Sequence, residues 1–153
     1  MHKLDDIDRK LLRVLQEDAS LSAADLGARA GVTATVAARR VERLERDGVI
    51  AGWAVDLDPR ALGYEVSVSL RVTLDKTERR AFDAFIAAAK AVPEIDAVHT
   101  LLGRVDVRLN VLARDLAHYQ EIYRSQILSL PHVLDIEALM LVSDVKSAPG
   151  VPL

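Results

Sequence analysis

The stretch Thr33–Ile50, TATVAARRVERLERDGVI, decides how the chain is read. It follows an Ala30-Gly31-Val32 turn, and Thr33 is a natural N-cap because its hydroxyl can accept a backbone N–H that the first helical turn leaves unpaired. Ala37, Val41 and Leu44 recur at the i, i+4, i+7 spacing of one buried helical face. Thr35, Arg39, Glu42 and Arg46 then point the opposite way, with Arg43 at their flank. Asp47-Gly48 stops the helix, since glycine closes a helix in a left-handed conformation without strain. A helix with a small apolar inner face and outward arginines suits a DNA major groove. An ordinary solvated amphipathic helix has the same periodicity, so neighbouring segments must separate the two.

Upstream, Asp5 or Asp6 caps a first helix whose apolar face is Ile7, Leu11, Leu12 and Leu15. A shorter helix starts at Ser22, where Ser-Ala-Ala-Asp has the form of a capping box ending on Asp25, and Leu26 and Ala30 point inward. Gly27 supplies the small residue that two steeply crossing helices need at their closest approach. Three short helices with a tight glycine turn before the last predict a helix-turn-helix over residues 1–50.

Downstream, Val49–Val55 is apolar and reads as a short strand, either a wing beside the helices or a linker that pairs with another copy. Asp56-Leu57-Asp58-Pro59 is turn chemistry and marks a domain boundary, so 51–62 is a linker strand and turn. Trp53 fits either a core or an interface anchor. Residues 65–74 alternate as a strand, and Thr77 is expected to cap a helix carrying Phe82, Phe85, Ile86 and Ala89 that ends at Pro93. A strand from Ile95 to Leu102 turns at Gly103-Arg104 into a second, Val105–Leu112. Asp115 opens another helix, Pro131 ends it, and a last strand runs from Val133 to Val142. The order is βαββαβ, a ferredoxin-like α+β domain over 63–146, with 147–153 as a tail. Its two helices cover one sheet face, and the apolar strands suggest a second copy packed sheet to sheet on the other.

Composition limits the alternatives. The net charge is −3, and residues 1–60 hold ten Lys/Arg against eleven Asp/Glu; only the helix after Thr33 is locally positive, with four arginines against Glu42 and Glu45. Any DNA contact is therefore confined to a patch that dimerisation would double. With no cysteine there is no disulfide, thiolate metal site or cysteine nucleophile. The charged N-terminus and the lack of a long apolar run point to a cytoplasmic protein without a membrane span. His2, His99, His118 and His132 lack metal-ligand spacing, and no phosphate-binding, dinucleotide or serine-hydrolase motif is present, so neither an enzyme nor a cofactor is expected.

The segment Thr100-Leu101-Leu102-Gly103-Arg104-Val105-Asp106 combines a turn glycine with opposite charges two residues apart. Arg104 can hold a carboxylate and Asp106 an ammonium group, which would suit a zwitterion; the residues alone favour an exposed hairpin with solvated charges.

Taken together the residues resemble the Lrp/AsnC family of leucine-responsive, or feast/famine, regulators. Leu4-Asp5-x-Ile7-Asp8-x-x-Leu11-Leu12-x-x-Leu15-Gln16 is similar to the family's opening helix. Leu26-x-x-x-x-Gly31-Val32-Thr33, with Arg40-Val41-x-Arg43-Leu44-Glu45-x-x-Gly48-Val49-Ile50, resembles its recognition helix and exit. Gly103-x-x-Asp106 resembles the Gly-Asp-x-Asp turn of its sensor domain. Two departures stand out: Ala34 replaces the proline common at the start of the recognition helix, and Arg104 replaces the first aspartate of the turn.

The resemblance implies a transcription regulator that binds double-stranded DNA as a dimer, assembles further to an octamer, and senses a small effector, usually an amino acid, between dimers. It places Thr33, Thr35, Arg40 and Arg43 in the DNA-contacting helix; the helical angles add Arg39 and make Arg40 a flank or phosphate contact. It assigns the effector to the turn of Thr100, Gly103, Arg104 and Asp106 and to last-strand positions Met140 and Leu141. The rival expectation is a ligand-binding or assembly module acting through protein partners without DNA, supported by the net acidity.

Overall fold

A computed structural model describes residues 4–143, 145 and 150–153. The chain forms two compact units, Met1–Asp56 with Lys146–Leu153, and Leu57–Val145.

The first unit holds three helices, α1 (Asp6–Glu17), α2 (Ala23–Ala30) and α3 (Ala34–Arg46). Each starts where its sequence supplies a cap. Asp5 accepts the Asp8 N–H at 2.8 Å and Asp8 reciprocates at 3.2 Å; Ser22 accepts from Asp25, and Thr33 from Val36 at 3.3 Å. Leu11, Leu26, Ala30 and Ala37 are its buried centre, with Ile7, Leu15 and Val41 packed around them. Two of those four are alanines, which lets the helices approach closely. Gly27 is closer still: a Cβ there would lie 2.8 Å from the Val32 carbonyl oxygen. Gly31 closes α2 at φ 77°, the left-handed conformation expected of it. Leu12 turns away from this core into a groove of about 600 Å³, together with Leu15, Ile50, Trp53 and Leu153. Beside it the Gln16 side-chain amide pairs with both backbone groups of Val151.

Val49–Val55 forms no strand in the single chain. Ala51–Val55 is exposed and has no ladder partner among the described residues, so nothing here satisfies the backbone as a strand requires. Trp53 is half exposed and donates its indole N–H to Glu45 at 2.6 Å.

The second unit is βαββαβ: β1 (Val66–Leu74), α4 (Ala81–Lys90), β2 (Ile95–Thr100), β3 (Val107–Ala113), α5 (Leu116–Ser125), a 3-10 turn, and β4 (Val133–Met140). The antiparallel sheet has the order β2-β3-β1-β4. Val68, Leu70, Val72 and Leu74 of β1 and Val107, Leu109 and Val111 of β3 form one buried face under Phe85, Ala89, Ile122 and Ile127. The helix expected from Thr77 starts later, at Ala81: the Asp75 carboxylate takes the Thr77 N–H at 3.0 Å, holding that segment in a turn. Asp115 caps α5 as expected, accepting the His118 N–H at 2.7 Å.

The other sheet face differs from the apolar surface expected for it. The alternation sends the valines and most of the leucines towards the helices and leaves, beside Leu112 and Leu139, the polar Ser67, Ser69, Arg71, Thr73, Arg108, Asn110, Asp135 and Glu137 on the uncovered side. These residues pair among themselves, Arg71 with Glu137 at 3.4 Å and Ser67 with Asn110 at 3.1 Å. This face offers a second copy matched charge and hydrogen-bonding groups, not a largely apolar surface.

Candidate functional site

Helix α3 presents Thr33, Ala34, Thr35, Ala38, Arg39, Glu42 and Arg46 to solvent, while Ala37 and Leu44 are buried. Its arginines divide into two groups. Arg39 is exposed and has no ion pair among the described residues. Arg40 and Arg43 instead reach back to α1. Arg40 Nη1 lies 2.6 Å from an Asp5 oxygen and 2.8 Å from an Asp8 oxygen; Arg43 Nη2 donates to both Asp8 oxygens at 2.6 Å. The Arg40 guanidinium holds the Asp5 carboxyl below the usual carboxylate range, with the Asp8 N–H adding to the effect. In return Asp5, and then Asp8, raise the Arg40 pKa further.

Asp8 is the residue that sequence reasoning missed. It is 1% exposed, a charged group as buried as Leu11 one turn on. The signal was present: Leu4, Asp8, Leu11 and Leu15 share one helical stripe, and a lone carboxylate on an inward stripe needs a cation.

In the second unit the turn between β2 and β3 separates the residues expected to act together. Asp106 is 5% exposed and points into its own protomer: one oxygen accepts the Leu74 N–H at 2.9 Å and the other lies 2.7 Å from Lys76 Nζ. Lys76 first, then the Leu74 N–H, hold its carboxyl below the ordinary range. Arg104 is exposed and borders an open depression of about 730 Å³ with Arg71, Thr73, Val105, Asp135 and Glu137. Gly103 has no positive φ, and a Cβ would meet nothing within 4 Å, so the fold itself does not demand glycine there. Thr100 pairs with Val107 at the same end of the sheet. Met140 pairs with Val68, four residues along β1 from the Val72 that pairs with Val107, so Met140 and Leu141 lie about 13 Å from the turn's end of the sheet at ~3.3 Å per residue. Both are more than half exposed. Within one protomer these groups do not converge.

Among the described residues no cluster of three or more acidic or histidine side chains is placed to hold a metal; His2 lies outside them. His118 Nδ1 accepts the Arg114 N–H, and His99 pairs in register with Arg108. No described helix is long and apolar enough to cross a membrane.

Comparison with known proteins agrees with this geometry. Residues 4–45 match the AsnC-type helix-turn-helix domain, and residues 67–151 the Lrp/AsnC ligand binding domain. The chain is 34% identical over 143 residues to the leucine-responsive regulatory protein of Haemophilus influenzae, covering 94% of this chain and 86% of that protein. The corresponding Escherichia coli K12 protein is 32% identical over 145 residues, covering 95% and 88%. Among solved structures, an AsnC family regulator from Agrobacterium tumefaciens superposes with a TM-score of 0.90 at 30% identity, covering 97% of both chains. A transcriptional regulator from Neisseria meningitidis, solved as an L-Met complex, gives 0.92 at 25% identity, covering 98% and 97%. These similarities define the class: a DNA-binding transcriptional regulator with a ligand-binding domain. The chain belongs to the Lrp/AsnC family. Its relatives are regulators, not enzymes.

Proposed function

We propose that the protein binds double-stranded DNA as a homodimer, with Thr35 and Arg39 of α3 facing base edges and Thr33 and the first backbone N–H groups of the helix holding phosphate. The observation that carries this is the division of the arginines: Arg39 is exposed on the outer face with no ion pair among the described residues, while Arg40 and Arg43 are engaged behind it. Two such helices would enter successive major grooves about 34 Å apart or a multiple of it. Assembly beyond the dimer, to an octamer, belongs to the same reading.

The effector is an amino acid, a class favoured by the L-Met complex of the Neisseria relative. Its carboxylate pairs with Arg104 by charge-assisted hydrogen bonds, and its ammonium group faces Asp135 across the same depression. Asp106 supports the turn from behind and does not touch the ligand, since both its oxygens are taken. Met140 and Leu141 join through another copy, the only way they meet a ligand held at Arg104. The protein is a cytoplasmic regulator without catalytic activity or a cofactor.

Fluorescence anisotropy on DNA from upstream of the protein's own gene, at two salt concentrations and with pooled amino acids, tests the proposal. Salt-sensitive binding that the pool shifts supports both halves. Binding that no amino acid shifts overturns the effector half, and salt-independent or absent binding overturns the DNA half.

A further inference from the structure

The Asp8 cluster has a consequence for DNA discrimination. Two guanidiniums and two carboxylates, Arg40, Arg43, Asp5 and Asp8, meet within 2.6–2.8 Å and sum to zero charge. The Asp8 side chain is 1% exposed, against 21% for Arg40 and 40% for Arg43. Half of the four arginines of the recognition helix are thus bound to the neighbouring helix. A buried carboxylate left without a cation is strongly penalised, so exchanging these partners for DNA phosphate would uncover Asp8 at a cost no surface ion pair incurs.

We infer that Asp8 is a specificity-determining positioning residue: a buried counter-ion that withholds Arg40 and Arg43 from sequence-independent phosphate contact while fixing α3 on α1. This rests on the DNA-binding reading above. Binding to any duplex is dominated by phosphate neutralisation, and each lysine or arginine that takes part adds to the salt dependence. Arginines already neutralised by a buried carboxylate of the same chain add nothing to it. The helix then depends on its outer residues, Thr35, Arg39 and Arg46, two of which are cations, and random DNA is held weakly enough for base contacts to decide. The overall acidity of the chain fits the same arrangement, because it leaves little positive charge to bind DNA of any sequence.

The test measures the slope of log affinity against log salt for the full chain on a random-sequence duplex and on a duplex enriched from a random pool by selection. Arg43→Gln and Arg40→Gln each leave Asp8 one cation, and both are expected to leave the random-DNA slope unchanged. Asp8→Asn frees Arg43 and leaves Arg40 with Asp5 alone: the random-DNA slope steepens by about one unit, random-DNA affinity rises, and the preference for the selected duplex shrinks. Asp8→Glu, which keeps the charge, restores the native slope, whereas a purely packing role would not distinguish it from Asp8→Asn. If Asp8→Asn does not fold, the two single arginine variants decide. A fall of about one unit in either overturns the inference, as does an unchanged slope in folded Asp8→Asn. Failure of the native protein to bind either duplex overturns the DNA reading and this one with it.

Discussion

Asp106 Oδ2 accepts the Leu74 backbone N–H at 2.9 Å, fastening the approach to β3 onto the last residue of β1. With Lys76 on the other oxygen, the carboxylate is a part of the fold before any ligand arrives. Asp106→Ala leaves a buried N–H unpaired, so the second unit should lose about 1–3 kcal/mol. Urea unfolding followed by circular dichroism reads this. An unchanged midpoint with a lost effector response would assign Asp106 to the ligand instead.

The same contacts give a pH dependence with a definite sign. Lys76 and the Leu74 N–H depress the native pKa of Asp106 below its unfolded value of about 3.9. A depressed pKa stabilises the native state fully above the unfolded value, and that stabilisation disappears as pH falls through the native one. The melting temperature of Asp106→Asn should therefore decline less steeply than that of the native protein over the acid range. Parallel acid limbs would refute the contribution.

Two glycines give opposite expectations. At Gly27 an added Cβ meets the Val32 oxygen at 2.8 Å and the Ala34 nitrogen at 3.1 Å, all rigid backbone at the entrance to α3. Gly27→Ala should cost about 1–3 kcal/mol by overpacking and weaken DNA binding with it. Gly103→Ala meets nothing and strains nothing, so its melting temperature should match the native protein's. A drop in amino-acid response in that folded variant would put the ligand against the turn; a full response would put it elsewhere.

Arg39→Ala should cost about 1–3 kcal/mol on the selected operator if the guanidinium reads a base. The comparison that matters is a random duplex of equal length in the same titration. Equal losses on both would reduce Arg39 to a phosphate contact.

The helices and strands were legible because their signals are local. Ser22, Thr33 and Asp115 cap where they stand, and the alternation in β1 and β3 is read within each strand. The partners were not. Periodicity shows that Arg43 lies on the flank of α3, but not that a carboxylate thirty-five positions earlier receives it. Asp106 looked like a surface charge because its acceptor role depends on β1 lying alongside. Thr77 looked like a cap because the competing carboxylate of Asp75 adds no periodic signal. The Val49–Val55 reading is of a different kind: its sequence has strand chemistry, but a strand is a property of two segments, and the partner expected for it belongs to another copy.

Trp53 is the one tryptophan in the sequence, half exposed and hydrogen-bonded through its indole N–H to Glu45 in the last turn of α3. The chain therefore carries its own optical probe at the end of the recognition helix. Excitation selective for tryptophan reports this single site without label or mutation. A titration with DNA that moves the end of α3 will show as a shift in emission wavelength. A change in its fluorescence lifetimes on titration follows the same single side chain in the unmodified protein.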